Sequence, residues 1–410
     1  MTWQASAIGL EERLADLHRR VHRGTYRAQP SRRVYIPKPD GRQRPLGIAA
    51  LADTIVHQAV VTILTQIDEE DVRGFSEGYR PGRRPHHAVD ALSVALTRKR
   101  VNDVLDGDLR GFFDTLSHAW LVKFLQHRVA DPRILRLIQT WLRAGVSEEG
   151  QWSETTVGVP QGAVVSPLLA QVYRHDVFDL WVEAWRTRAA QGAVVVVRLA
   201  DDGVLGFEHR SDAERFFAAL RDRLQPCGLE LHAETTRLIE CGPQAIANRK
   251  PRGEGKPETF DCLGFTPSCA RHRKTGSFTV RRKTARQRMV AKLKALQQQL
   301  RPRRHASTAQ TGPWLTSVVQ GSFNDHAVPG QMRTLGTFRR RVIRLWRRQL
   351  GLRRPKARLS WPRLQPLIRR WIPTQRILHP FPRVRFDAMH PRSEPSAGVP
   401  HVRICAGGAG

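Results

Sequence analysis

Two apolar runs, Val194–Val197 and Val204–Phe207, are separated by a short segment containing Asp201, Asp202 and Gly203. Short runs of this kind, bounded by turn-forming residues, read as buried strands. So brief a link makes an antiparallel hairpin the simplest arrangement, with both carboxylates at its tip. A third run, Val104–Leu109, carries Asp108 near its end. If that strand neighbours the hairpin, three carboxylates converge at one end of a sheet. Clustered carboxylates repel one another and raise each other's pKa, which is costly unless a cation sits among them.

The flanking sequence supplies helices. Leu10, Leu14, Leu17 and Val21 repeat at helical spacing within residues 1–30. Two short strands, Val34–Pro37 and Pro45–Ile48, are expected around a turn at Pro39, Asp40 and Gly41. Ser117 can cap a helix carrying Trp120, Leu121, Phe124 and Leu125 on one face, and a second helix is expected from about Arg133 to Leu142. Ser166 and Pro167 start another, running through Leu169, Val172, Tyr173 and Phe178 to about Trp185. Ser211 with Glu214 reads as a capping box for a helix to about Leu224, with strands near Leu229–Leu231 and Leu238–Cys241 after it. This mixture predicts an α+β domain with helices packed on one face of a sheet. No period of 20–50 residues suggests a solenoid, and 410 residues suffice for two or three domains.

Charge is distributed unevenly. Residues 271–410 hold 32 Lys and Arg against three acids, Asp325, Asp387 and Glu394, so this third carries +29 of the net +31. Like charges at such density destabilise a compact domain unless a polyanion compensates them, which points to RNA or DNA. Basic helices are expected at about 284–300 and 334–350, the second with Phe338, Val342, Leu345 and Trp346 as its apolar stripe. Pro355 and Pro362 break the chain beyond it, and the tail from about Phe386 reads as loosely ordered. The five cysteines form no Cys-x-x-Cys pair, so ordinary thiols are expected rather than a zinc module or disulfide framework. No run approaches the length of a membrane-spanning helix and residues 1–10 lack a secretory pattern, so a soluble, cytoplasmic protein without a membrane partner is expected.

Ordered blocks cover almost the whole chain: RRVYIPKPDGRQRPLGIAAL at 32–51, GYRPGRRPHHA at 78–88, DGDLRGFFDTLSH at 106–118 and VGVPQGAVVSPLLAQVY at 157–173. They continue with VVRLADDGVLGF at 196–207, GLELHAETTRLIE at 228–240, FDCLGFT at 260–266 and VRRKTARQRM at 280–289. Together they closely resemble the reverse transcriptases, or maturases, encoded by bacterial group II introns. The resemblance implies a right-hand polymerase. Its fingers, with part of an N-terminal extension, would occupy 1–100 and its palm, interleaved with fingers elements, 101–270. A helical basic thumb, or maturase region, would span 271–385 and a loose tail 386–410. By position, Asp108, Asp201 and Asp202 match the catalytic carboxylates that hold two Mg2+ ions. Lys38 and Arg44 match residues at the triphosphate of the incoming dNTP, and Phe113 the aromatic gate against a ribose 2′-hydroxyl. Gln161 and Gly162 match the lining of the nucleotide pocket. Arg80 is a candidate for template or nucleotide phosphate; Arg281, Arg282, Lys283, Arg340 and Arg344 are candidates for RNA. The implied partners are group II intron RNA, an RNA template with its DNA primer, dNTPs and target DNA.

The chain departs from that pattern at several positions. Leu199 stands where Tyr is usual before Ala-Asp-Asp, and Gly203 where a large aromatic is usual after it. Thr235 replaces a lysine that could protonate the leaving pyrophosphate. Glu77 and His87 stand where an aromatic and an acid are typical. Met1-Thr2-Trp3 resembles the middle of the family's N-terminal extension, and the cysteine pairs of a C-terminal HNH endonuclease are missing. The departures also suit an RNA-binding splicing cofactor with weak or lost polymerisation. A host-adopted reverse transcriptase is a third reading.

Overall fold

Strand β1 (Ser31–Pro37) pairs antiparallel with β2 (Gln43–Ile48), placing Ile36 opposite Arg44. The computed structural model describes residues 9–37, 41, 43–255, 257–272, 275–353 and 359–389. Lys38 and the Pro39–Asp40 part of the expected turn lie outside those residues. The chain forms two compact units, one of Met1–Ala88 with Ala95–Ala295, the other of Val89–Val94 with Leu296–Gly410. The division therefore falls later than the compositional shift at 271.

In the first unit, β3 (Asp103–Asp108) is an interior strand of the sheet that carries the acidic residues. The small strands β4 (Val146–Glu148) and β5 (Gln151–Ser153) extend the β1–β2 sheet instead, β4 lying parallel to β1. The hairpin β6 (Val194–Leu199) and β7 (Asp202–Phe207) joins β3 on one side, and β8 (Arg237–Glu240) pairs it on the other, all antiparallel. The hairpin strands run two residues further than the apolar runs suggest, so the tip contracts to Ala200 and Asp201. Leu229–Leu231 forms no strand, only an isolated bridge from Leu231 to Leu109.

Alternation along these strands separates two faces. Leu105, Val196, Leu205 and Phe207 join one buried core with Tyr173, Val177, Phe216 and Leu220. The last four come from the segment Ser166–Arg188 and the helix Arg210–Leu224. Ser166–Arg188 is not one uniform α-helix, because a π-helical turn at His175–Asp179 interrupts it. Ser117 caps its helix as expected, accepting from the Trp120 amide. The Ser211 capping box does not form: the helix begins at Arg210 after His209, so Ser211 already lies within its first turn.

After β8 come β9 (Phe265–Arg271) and β10 (Phe278–Thr284), a hairpin that the sequence pattern does not announce. The basic helix Arg286–Leu300 comes next. Cys241 Sγ faces Cys269 Sγ at 3.1 Å, and the four described cysteines are free thiols, as expected. Among the described residues, no helix is long and apolar enough to cross a membrane.

The second unit is helical. Thr308–His326, Met332–Gly351 and Trp361–Trp371 enclose Leu315, Val319, Phe323, Phe338, Val342, Trp346, Leu364 and Ile368. Leu345 is only half-buried; Ile343 completes the buried stripe instead. Pro362 opens a helix rather than breaking one, because a proline in the first turn forfeits no intrahelical hydrogen bond. Residues 386–389, assigned to the loose tail, continue the helix Pro382–Met389; the tail beyond lies outside the described residues.

Burial strongly perturbs His57 of the first unit. His57 lies edge-on to Trp141 at 4.4 Å, and neither ring nitrogen has a hydrogen-bond partner. Burial lowers its pKa to about 4, against an ordinary value of 6.5. Between those values the unfolded chain binds the extra proton, so this residue reduces stability as pH falls through that window. His57→Gln should therefore flatten the acid side of the stability curve by one proton, about 1.4 kcal/mol per pH unit. Urea unfolding at pH 6.5 and 4.5 measures this, and an unchanged slope would mean that His57 is not held neutral.

Candidate active site

Pairing between β3 and β7 sets Asp108 directly opposite Asp202, with Leu199 opposite Asp202 on its other side. Asp201 occupies the two-residue tip beside them. A directly opposed antiparallel pair brings side chains within about 5 Å at Cβ, so the two carboxylates share one face and one edge. Asp202 is exposed at this mouth although crowded by neighbouring chain. Burial, then the charges of Asp201 and Asp108, push its carboxyl up to about 6. Because solvent reaches the group, screening softens that repulsion.

Asp106 is a fourth carboxylate at the site. It lies two residues before Asp108 on β3 and hence on the same face. Burial, with Asp202, Asp108 and Asp261 nearby, raises it to about 7. Sequence reasoning assigned it no role, although the i, i+2 spacing carried the signal. Among the described residues, no three His, Cys, Asp or Glu side chains are already set to hold a metal ion. The donor chemistry nevertheless suits Mg2+, since hard carboxylate oxygens crowd together and a cation would relieve their repulsion.

The hairpin tip is under backbone strain. Ala200 has φ +54°, a left-handed conformation that costs a non-glycine residue about 1–2 kcal/mol. Three contacts hold it there, one of them from Arg198, whose Nη1 donates to Ala200 O at 3.4 Å. Gly78 packs so closely that a Cβ on it would lie 2.1 Å from the Ala200 nitrogen. From the helix side, Arg174 donates to the main-chain oxygen of Asp201. The strand edge is fixed further by Glu77 N–H donating to Arg198 O at 2.8 Å. The departure at Glu77 is thus a buried acid, 3.4 Å from Arg83, while His87 Nδ1 accepts from the Arg84 amide.

Around the carboxylates, Phe112 is buried in the core while Phe113 is half-buried and meets Tyr79 edge-on at 6.4 Å. Burial and the charges of Asp201 and Asp202 push the Tyr79 hydroxyl up to about 12, whereas Arg44 opposes the shift. Tyr79, another residue without an assigned role, therefore lies within electrostatic reach of Arg44 and both aspartates and beside Phe113. Gln161 is 3.5 Å from Asp114, and its main-chain oxygen accepts from Gly47 N–H at 2.6 Å. Gly162 has φ +105°, and a side chain there would press on Gly47 O at 3.2 Å. Thr235 donates its hydroxyl to Asp108 Oδ2 at 3.1 Å, so the residue in the lysine's place orients a carboxylate.

Other candidates are placed less simply. The Arg80 guanidinium is engaged by Glu69, at 2.8 Å, and by Ser76 O, so phosphate would have to displace that pair. Arg281, Arg282 and Lys283 lie on strand β10; Arg282 is buried and the other two are exposed. In the second unit, Arg340 and Arg344 are exposed together on Met332–Gly351.

The family pattern described as reverse transcriptase (RNA-dependent DNA polymerase) matches residues 36–267. Protein YkfC of Escherichia coli K12 is 40% identical over 162 residues, 39% of this chain and 42% of YkfC. The group II intron-encoded protein LtrA of Lactococcus lactis subsp. cremoris is 35% identical over 167 residues, 40% of this chain and 28% of LtrA. The chain thus spans well under two thirds of each relative. A solved telomerase from Candida albicans, in complex with a fragment of telomeric RNA, shares the fold at a TM-score of 0.50 and 13% identity. That likeness covers 84% of this chain and 57% of the telomerase.

Gly78→Ala tests the support of the hairpin tip. The added methyl cannot coexist with Ala200 N, and overpacking of this kind typically costs about 1–3 kcal/mol. The variant should fold with a lowered melting temperature and show altered environments at residues 199–202 by NMR. Unchanged spectra would show that the tip does not depend on that contact.

Proposed function

Because the chain belongs to the reverse transcriptase (RNA-dependent DNA polymerase) family, we propose that it extends a DNA primer on a group II intron RNA, assists that intron's splicing and copies it into DNA during retromobility. The likeness to an intron-encoded protein supports the choice of RNA. The observation that carries the polymerase reading is the Asp108–Asp202 register, with Asp201 at the adjoining tip. In this reading, fingers, palm and thumb keep the chain order expected from the sequence. Asp108, Asp201 and Asp202 hold two Mg2+ ions. When bound, such a metal pair supplies activation of the primer hydroxyl and neutralisation of the leaving pyrophosphate.

The other roles belong to the chain itself. Arg44, exposed on β2, and Lys38 meet the triphosphate, where cations offset developing charge. Phe113, braced by Tyr79, stands against the 2′ position of the sugar. Gln161 lines the pocket, and Gly162 lets the backbone approach the nucleotide. Arg281 and Lys283 of the first unit, and Arg340 and Arg344 of the second, grip RNA through its phosphates and therefore in a salt-dependent way. Target DNA would use the same electrostatics. Thr235 gives one argument for the second reading, a splicing cofactor with weak polymerisation, since its hydroxyl is a poor proton donor to the leaving group.

Asp202→Asn separates the two functions. It should reduce primer extension on RNA by at least about a thousandfold while leaving intron RNA affinity within a few-fold of wild type. Filter binding beside a primer-extension gel reads both quantities. Parallel collapse of binding and extension would contradict the division of labour.

A further inference from the structure

Beneath the carboxylate edge, on the face of the sheet covered by helices, two glycines stand opposite each other. Gly107 of β3 pairs with Gly203 of β7, and Gly203 pairs with Arg198 of β6. The missing side chains leave room at this end of the sheet. Arg174, from the helix Ser166–Arg174, reaches into it: a Cβ at Gly203 would lie 3.0 Å from Arg174 Nη2. Arg174 is only 3% exposed; its guanidinium lies over Phe178 at 4.9 Å and donates to the main-chain oxygen of Asp201.

Its charge is poorly matched by other groups on this face. Arg198, also fully buried, already bonds Asp179 at 2.6 Å, Gln171 at 3.0 Å and Ser76. His175, between them in sequence, is kept neutral by burial and the nearby arginines. On this face the charge of Arg198 opposes that of Arg174, and Asp179, which favours it, is already bonded to Arg198. Arg174 Nε has no hydrogen-bond partner. The charges that interact favourably with it are those of Asp179, Asp201 and Asp202. A buried cation without counter-charge is expensive, and so is a carboxylate cluster without a cation.

We propose that Arg174 is the resident counter-charge of the Asp201–Asp202 pair: a positioning residue that holds the hairpin tip by its hydrogen bond and keeps the carboxylates together before metal arrives. This rests on the reading of those aspartates as the metal site. Gly203 serves the same arrangement by leaving the guanidinium its space. Because a fixed positive charge opposes a divalent cation, Arg174 also weakens metal binding and so sets the metal concentration that the site requires.

The test is calorimetric titration of the full chain with Mn2+ alone, without nucleotide or primer, for wild type, Arg174→Met, Arg174→Lys and the double variant Asp201→Asn, Asp202→Asn. Arg174→Met should bind Mn2+ about tenfold more tightly than wild type, whereas Arg174→Lys, which keeps the charge, should stay within about twofold. Weaker or unchanged binding by Arg174→Met, with wild-type binding abolished in the double aspartate variant, would overturn the counter-charge while leaving the metal site intact. Equal binding by wild type and the double aspartate variant would instead remove the metal-site reading and, with it, this one. If Arg174→Met fails to fold, the triple variant Arg174→Met, Asp201→Asn, Asp202→Asn decides. Recovery of cooperative thermal unfolding supports charge compensation; failure to recover reduces Arg174 to a space-filling role and overturns the proposal.

Discussion

The pairing of Asp108 with Asp202 across two antiparallel strands is the constraint on which the site depends. It concentrates negative charge at one end of the two interior strands of a four-stranded sheet, and that charge must be offset. The structure does so from behind. One face of the sheet carries the acids, and the opposite face receives Arg174 in the space left at Gly203. The left-handed Ala200 can persist because Gly78 presses on one side of the tip and Arg174 bonds its main chain from the other. Geometry and electrostatics at the tip therefore have a common source.

This view changes the meaning of one departure from the family pattern. A large aromatic at position 203 would point to the helix face, into the space held by Arg174. Gly203 thus belongs to a local exchange of packing for charge, rather than to simple loss. Thr235 can be read likewise, because its hydroxyl orients Asp108. Leu199 is different: it is half-buried at the end of β6, opposite Asp202, and nothing in the structure explains its replacement of tyrosine.

Much of the central sheet was legible because its signals are local. Four consecutive valines, a short acidic link and a second apolar run allow few alternatives to a hairpin, and Ser117 and Pro167 mark helix starts through their own chemistry; the Ser166 hydroxyl, expected to cap, bonds Pro160 O instead. What was hidden depends on contacts far apart in sequence. Nothing near Arg174 reveals that it reaches Asp201, and nothing near Tyr79 reveals its approach to Phe113. The β9–β10 hairpin was obscured because its polar, basic residues match a solvated segment as readily as a strand. At Ser211 a capping pattern was present, but the helix started two residues earlier, after His209. Arg282 sits among basic neighbours that suggest exposure, yet strand alternation turns it inward.

The most direct measurement is Mg2+-dependent extension of a DNA primer annealed to an RNA template, comparing wild type with the Asp201→Ala, Asp202→Ala double variant. The account predicts extension by the wild type that is lost in the variant, with RNA still bound by both. Extension that survives loss of the two carboxylates, or a wild type that binds RNA tightly and adds no nucleotide, would contradict it.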